Sequence, residues 1–189
     1  MSVAMPFSVT SLELEGLKLV QLALHGDSRG FFVERYQASK FAEHGISVTF
    51  LQDNHSRSAP GVLRGLHYQT DPAQGKLVGV VRGSIWDVVV DIRVASPTFG
   101  RSFAVELSDL NGRMLWVPAG FAHGFCVLGS EPADVVYKVD AFYNPKTEGG
   151  IHPLDPELKL SWPSSGAIQL SARDQAQPSW QEYCASPKF

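Results

Sequence analysis

Gly61-Val62-Leu63-Arg64-Gly65-Leu66-His67-Tyr68-Gln69 is the stretch around which the chain is organised. Two glycines bracket an arginine and lead to a histidine, and Lys76 follows near the start of a strand-like run. An imidazole moves protons near neutral pH. A guanidinium clamps a carboxylate or phosphate through paired hydrogen bonds. An ammonium stabilises an oxyanion. Together, Arg64, His67 and Lys76 point to a site that binds an anion and moves a proton. Taken alone, the stretch fits a structural histidine beside surface cations better, because short motifs match by chance. The rest of the chain shifts that balance.

Outward from this stretch the pattern is all-β. Val48 to Asn54 reads as a strand, Ser58-Ala59-Pro60-Gly61 as a turn, and Leu77 to Arg82 as a strand turning through Gly83 into Ile85 to Arg93. Alternation puts Trp86, Val88, Val90 and Ile92 on one face of that last strand, and Ile85, Asp87, Val89 and Asp91 on the other. Two acids on a half-apolar face predict that it meets water or a ligand. Further strands are expected at 102–108, 113–117, 124–128 and 134–143. Upstream, residues 8–24 suggest short strands, Gly26 to Gly30 a turn, and Phe31 to Tyr36 an aromatic strand. Ser39 to His44, ended by Gly45, predicts a short helix. In the tail, Ser171-Ala172-Arg173-Asp174 reads as a tight turn or one helical turn, and Ser179 to Glu182 matches a capping box. Short, closely spaced strands with polar turns indicate a sandwich or barrel.

Composition sets the limits. The chain has 189 residues, 44% apolar and 19% charged, which suits one domain over 1–189 with a full core. A net charge of -3 gives no global basic field for nucleic acid, so an anion site must be a local cation cluster. Two cysteines, Cys126 and Cys184, make no disulfide framework. Met1-Ser2-Val3-Ala4-Met5-Pro6 lacks the pattern of a signal peptide, and no stretch is apolar enough for a membrane helix. The expectation is a cytoplasmic protein.

A second informative stretch is Gly112-Arg113-Met114-Leu115-Trp116-Val117-Pro118-Ala119-Gly120-Phe121-Ala122-His123-Gly124-Phe125. Its Gly, Pro, Gly and His spacing resembles the second signature of the cupin jelly-roll barrels. The first cupin signature carries a His-x-His pair and a later Glu that bind a metal with the second-motif histidine. Here Gly61 and His67 match, but Gln69 stands where the second histidine would be. The only acid between Gln69 and Asp87 is Asp71, in an expected turn. A metal wants three or four close ligands, so the expectation is a cupin-type barrel without a metal.

A closer resemblance covers residues 27–174. Asp27-Ser28-Arg29-Gly30-Phe31-Phe32-Val33-Glu34, Gln52-Asp53-Asn54-His55-Ser56, Leu63 to Gln69, Gln74-Gly75-Lys76, Ile85-Trp86-Asp87-Val88, Asp91-Ile92-Arg93, Ser96-Pro97-Thr98-Phe99-Gly100, Gly120 to Phe125 and Tyr137-Lys138 follow in unbroken order. They resemble the dTDP-4-dehydrorhamnose 3,5-epimerase family, which is metal-free. The resemblance implies no cofactor and a dTDP-4-keto-6-deoxyhexose substrate, whose C3 and C5 both flank a ketone. Removing either proton makes an enolate, which needs a base, a cation at the oxygen and an acid across the ring. By resemblance His67 is the base, Asp174 its partner, Lys76 the enolate cation and Tyr137 the proton donor. Tyr143 matches the residue that stacks the nucleobase. One continuous strand would put Tyr137 and Tyr143 on the same face. Arg29, Glu34, Gln52, Asp53, Asn54, Arg64, His123, Glu148 and Arg173 match binding positions. Arg173 replaces the lysine usual in the family, and the two cations differ in geometry. The family also implies a homodimer whose exchanged N-terminal strands would bring Arg29 and Glu34 to the partner's site.

Other readings compete. Relatives that epimerise one carbon, in antibiotic-sugar pathways, share base and acid, and Ile151 to Leu158 resembles a stretch in some of them. A metal-dependent cupin oxygenase conflicts with Gln69, and a non-catalytic binder with the joint presence of His67, Lys76, Tyr137 and Asp174. Without the family, Tyr137 and Tyr143 would be packed aromatics, Asp174 a helix cap and Asp87 a core anchor. For His123, substrate contact competes with a purely structural role.

Overall fold

In the computed structural model, residues 7–163 and 166–189 are described. Met1 to Pro6, on which the expectation about a leader rests, lie outside them. In chain order the strands are β1 (Phe7–Ser11), β2 (Lys18–Leu22), β3 (His25–Asp27) and β4 (Gly30–Phe32), then helix α1 (Ala38–Glu43) and β5 (Gln52–Ser58). Next come β6 (Leu63–Gln69), β7 (Lys76–Arg82), β8 (Ser84–Asp91), β9 (Ser102–Ser108), β10 (Arg113–Val117), β11 (Phe121–Val127), β12 (Ala133–Val139) and β13 (Glu148–Gly150). Two short helices, α2 (Ala172–Gln175) and α3 (Trp180–Ala185), close the chain.

The strands form a jelly-roll barrel of two facing antiparallel sheets. One sheet runs β1-β2-β10-β7-β12-β5 and the other β13-β6-β11-β8-β9, while β3 and β4 make a separate hairpin. Alternation decides what faces inward. From β10, Leu115 and Val117 join the core between the sheets, while Met114 and Trp116 pack outward with Phe41 of α1. From β11, Phe121 and Phe125 point inward, and Ala122 faces a third cluster with Ile92, Ile151 and Tyr183 of α3. Burial on both faces explains why these strands read as near-continuous apolar runs. Each fully buried aliphatic side chain here, such as Leu77, Ile85 or Leu115, contributes about 1.5–3 kcal/mol of transfer free energy.

Several expected boundaries move. The strand expected at Val48 to Asn54 lies at Gln52–Ser58, and of the aromatic run Phe31 to Tyr36 only Phe31 and Phe32 are strand, within Gly30–Phe32. The strand at 134–143 stops at Val139, because the Asp140 carboxylate accepts the Gly75 N–H and the chain bends away. Tyr143 therefore sits in a loop, and its even spacing from Tyr137 carries no weight. The acid-bearing face of β8 does not meet water, since Asp87 and Asp91 are both 0% exposed. Asp91 instead accepts from Arg93, Ser96 and Thr98 and anchors the following loop.

Candidate active site

One cavity of about 570 Å³ opens between the two sheets. Its floor is apolar, with Val62, Leu63, Val78, Phe125 and Val135. Above this floor the five-stranded sheet supplies Arg64 and His67 from β6 and His123 from β11, while the six-stranded sheet supplies Lys76 from β7 and Tyr137 from β12. His67 and Tyr137 thus stand on opposite walls of one space.

A local irregularity aims β6. Arg64 and His67 are three positions apart, an odd spacing that a regular strand would split between its faces. Against β11, His67 pairs with His123 but Arg64 pairs with Phe125, so β6 carries one extra residue. This bulge turns both side chains into the cavity. It needs two glycines. Gly65 has φ +126°, and a Cβ there would meet Gly124 Cα at 2.6 Å, while a Cβ at Gly124 would meet the Arg64 carbonyl at 2.6 Å.

His67 Nε2 lies 2.6 Å from Asp174 Oδ1. Asp174 comes from the third turn position of α2, whose start is capped by Ser171 Oγ accepting the Asp174 N–H at 3.0 Å. Burial alone would raise the Asp174 carboxyl, but the His67 hydrogen bond, its charge and Ser171 hold it below the usual range. With Nε2 engaged, the Nδ1 side of the imidazole remains for a substrate, and the ring is 26% exposed. Lys76 is pushed down by burial, against the opposing pull of Glu148 and Asp87. Tyr137 is pushed up by burial first and Glu148 second, which keeps the phenol protonated. A second imidazole–carboxylate pair joins His123 Nε2 to Asp87, at 3.0 and 2.9 Å from its two oxygens.

At the mouth, the Tyr143 hydroxyl donates to Glu148 Oε2 at 2.6 Å, and Arg173 Nη2 pairs with the same oxygen at 2.7 Å. Gln52 donates to Asn54 Oδ1 and accepts the Tyr143 backbone N–H. The cavity thus gathers His67, Tyr137, Asp174, Lys76, Gln52, Asn54, Arg64, His123, Tyr143, Glu148 and Arg173. It leaves out three others. Asp53, between two inward neighbours, faces the other way and pairs with Lys138 at 2.9 Å. Arg29 extends from the β3–β4 hairpin with its side chain 88% exposed and pairs with Asp27, and Glu34 pairs with Lys40. Sequence reading missed Gln74, Ser56 and Ser171, which also line the space. Ser56 Oγ is buried without a hydrogen-bond partner among the described residues. Among those residues no group of three or more His, Cys, Asp or Glu is placed to hold a metal ion, and no helix is long and apolar enough to cross a membrane.

The arrangement offers a paired imidazole, a phenol opposite it and an ammonium on the strand next to the phenol's. The guanidinium groups of Arg64 and Arg173 also line the cavity. It is equipped to shuttle a proton on a polar ligand that carries negative charge. The family model described as dTDP-4-dehydrorhamnose 3,5-epimerase matches residues 11–182. The chain belongs to the dTDP-4-dehydrorhamnose 3,5-epimerase family. A family relative of that name from Pseudomonas aeruginosa is 51% identical over 87% of this chain and 91% of its own. Another, from Neisseria gonorrhoeae, is 49% identical over 88% of this chain, which spans only 51% of that relative's length. Among solved structures, the dTDP-6-deoxy-D-glucose-3,5-epimerase of Legionella pneumophila, in complex with dTDP-4-keto-L-rhamnose, is 48% identical, with 92% of each chain covered and a TM-score of 0.88.

Proposed function

We propose that this chain, acting as a single domain, is an isomerase that epimerises C3 and C5 of dTDP-4-dehydro-6-deoxy-D-glucose, giving dTDP-4-dehydro-L-rhamnose. The observation that carries this reading is the pair His67 and Tyr137, borne by different sheets and facing across one cavity. His67 takes the proton from a carbon beside the ketone, and its positive charge is supported by Asp174. The electrons move into the carbonyl and form an enolate, whose oxygen Lys76 stabilises. Tyr137 delivers a proton to the opposite ring face, inverting the centre. The cycle only moves protons, so it calls for no redox or metal cofactor. Arg64 and His123 supply the sugar and diphosphate contacts, Glu148 and Arg173 are further binding positions, and Tyr143 meets the base.

The same reading includes a cytoplasmic homodimer. Arg29, exposed on its hairpin beside Phe31 and Phe32, which are 61% and 71% exposed, would serve the partner's cavity together with Glu34. Two free cysteines fit a reducing compartment.

Incubation with dTDP-4-keto-6-deoxyglucose in heavy water, followed by NMR, tests the chemistry. Deuterium should enter C3 and C5 and the rhamno-configured product should form. Label at C3 alone would identify a single-site epimerase, and no label at either carbon would end the proposal.

A further inference from the structure

Gln69 occupies the position where a metal-binding cupin carries a histidine, yet its amide does not line the cavity. It is 3% exposed, and nearly all its hydrogen-bonding capacity goes to two loops. Its Nε2 donates to the Pro72 carbonyl at 2.8 Å and to the Phe142 carbonyl at 3.0 Å. Its Oε1 accepts the Asn144 N–H at 2.8 Å. Two of these partners flank Tyr143 on either side in sequence. Tyr143 itself is 51% exposed and Phe142 63%, so no packed core fixes either ring. What places Tyr143 is the backbone beneath it, which also donates to Gln52, and the hydroxyl contact to Glu148.

We propose that Gln69 is a positioning residue: it fixes the Phe142–Asn144 backbone so that the Tyr143 ring stands over the cavity mouth, where it selects for a nucleoside diphosphate. Only a carboxamide meets this demand. A carboxylate has no proton for the two carbonyls, and an imidazole nitrogen offers at most one. The inference rests on the proposed function for the identity of the ligand at Tyr143.

The test titrates thymidine diphosphate into the intact protein by calorimetry and measures turnover in parallel. Gln69→Asn keeps the amide but is one methylene short of its partners. The Kd for thymidine diphosphate and the KM for the sugar nucleotide should each rise about tenfold, as expected for loss of a buried hydrogen bond, while kcat falls less than about threefold. Tyr143→Ala should weaken the same binding, and the double variant should be no weaker than the worse single one, since the two residues act as one unit. An unchanged Kd, strictly additive losses, or a fall in kcat with Kd intact would each overturn the role. Should Gln69→Asn fail to fold, Gln69→Glu, of equal size, is read by the same criterion. If the unsubstituted protein does not bind thymidine diphosphate, the functional reading falls and this inference with it. If it binds and the Gln69 variants bind equally well, only the inference falls.

Discussion

His67 Nε2 and Asp174 Oδ1 lie 2.6 Å apart although 107 residues separate them in the chain. The tail must fold back and form α2 before the imidazole has its partner. Asp174→Asn keeps the shape but removes the charge that supports a protonated ring. Turnover should drop by about 10²–10⁴-fold. Steady-state kinetics decide the matter: a variant within tenfold of the parent would remove Asp174 from the mechanism.

Tyr137→Phe separates the two halves of the cycle. The His67 side still removes a proton and returns it to the same face, so deuterium should wash into the substrate while net inversion is lost. NMR of recovered sugar nucleotide reads both at once. Normal product formation by this variant would mean that another group supplies the proton.

Lys76 must be charged to hold an enolate oxygen. Burial pushes it below the ordinary lysine value and Glu148 pushes it back up. Activity that needs the ammonium should therefore fade on the alkaline side below about pH 10.4, where a free lysine titrates. Glu148→Gln removes one supporting charge and should move that limb to still lower pH. A limb that stays put, or moves upward, contradicts the assignment. Lys76→Met should cost about 10²–10³-fold in kcat.

Asp91 contributes to acid stability. Burial would raise its carboxyl, but hydrogen bonds from Arg93, Ser96 and Thr98 outweigh that and hold it at about 2. The folded value lies below the unfolded one, so the ionised carboxylate stabilises the fold at neutral pH. That contribution, up to about 2 kcal/mol, is complete above about pH 4 and lost as pH falls toward 2. Asp91→Asn should lower Tm at pH 7 and flatten the Tm profile between pH 4 and 2. An equally steep acid limb in the variant would assign the acid sensitivity elsewhere.

Gly65→Ala should destabilise by at least ~3 kcal/mol, since its Cβ would sit 2.6 Å from Gly124 Cα and 2.9 Å from the His123 carbonyl. Denaturant titration measures it. A loss under 1 kcal/mol would show that β6 and β11 can part without harm.

Much of this was legible in the sequence, for physical reasons that differ by residue. Period-two alternation separated Ile85 and Val89 from Val90, because a sheet has only two faces, but it did not say which face was the interior. The same rule already forbade Gln52, Asp53 and Asn54 from all facing one ligand, and Asp53 is the one turned away. The capping signature at Ser179 appears as read, since it depends on four adjacent residues alone. That Arg64 and His67 share a site was legible in the sequence, but the bulge that aims both was hidden, because it is created by the partner strand's register. The anchoring of Tyr143 by Gln69 was hidden too, as it spans distant segments. Asp87 and Asp91 look alike in the strand, yet one holds His123 and the other holds a loop. Only tertiary neighbours separate them.

The wall carrying Tyr137 is a single peptide layer thick. On β12, Val135 lines the cavity, Val136 and Lys138 border a separate hollow on the reverse side of the sheet, and Tyr137 reaches both. Alternate residues of one short segment thus have different surroundings. Random mutagenesis of the seven positions of β12 should therefore reveal two interleaved patterns of tolerance.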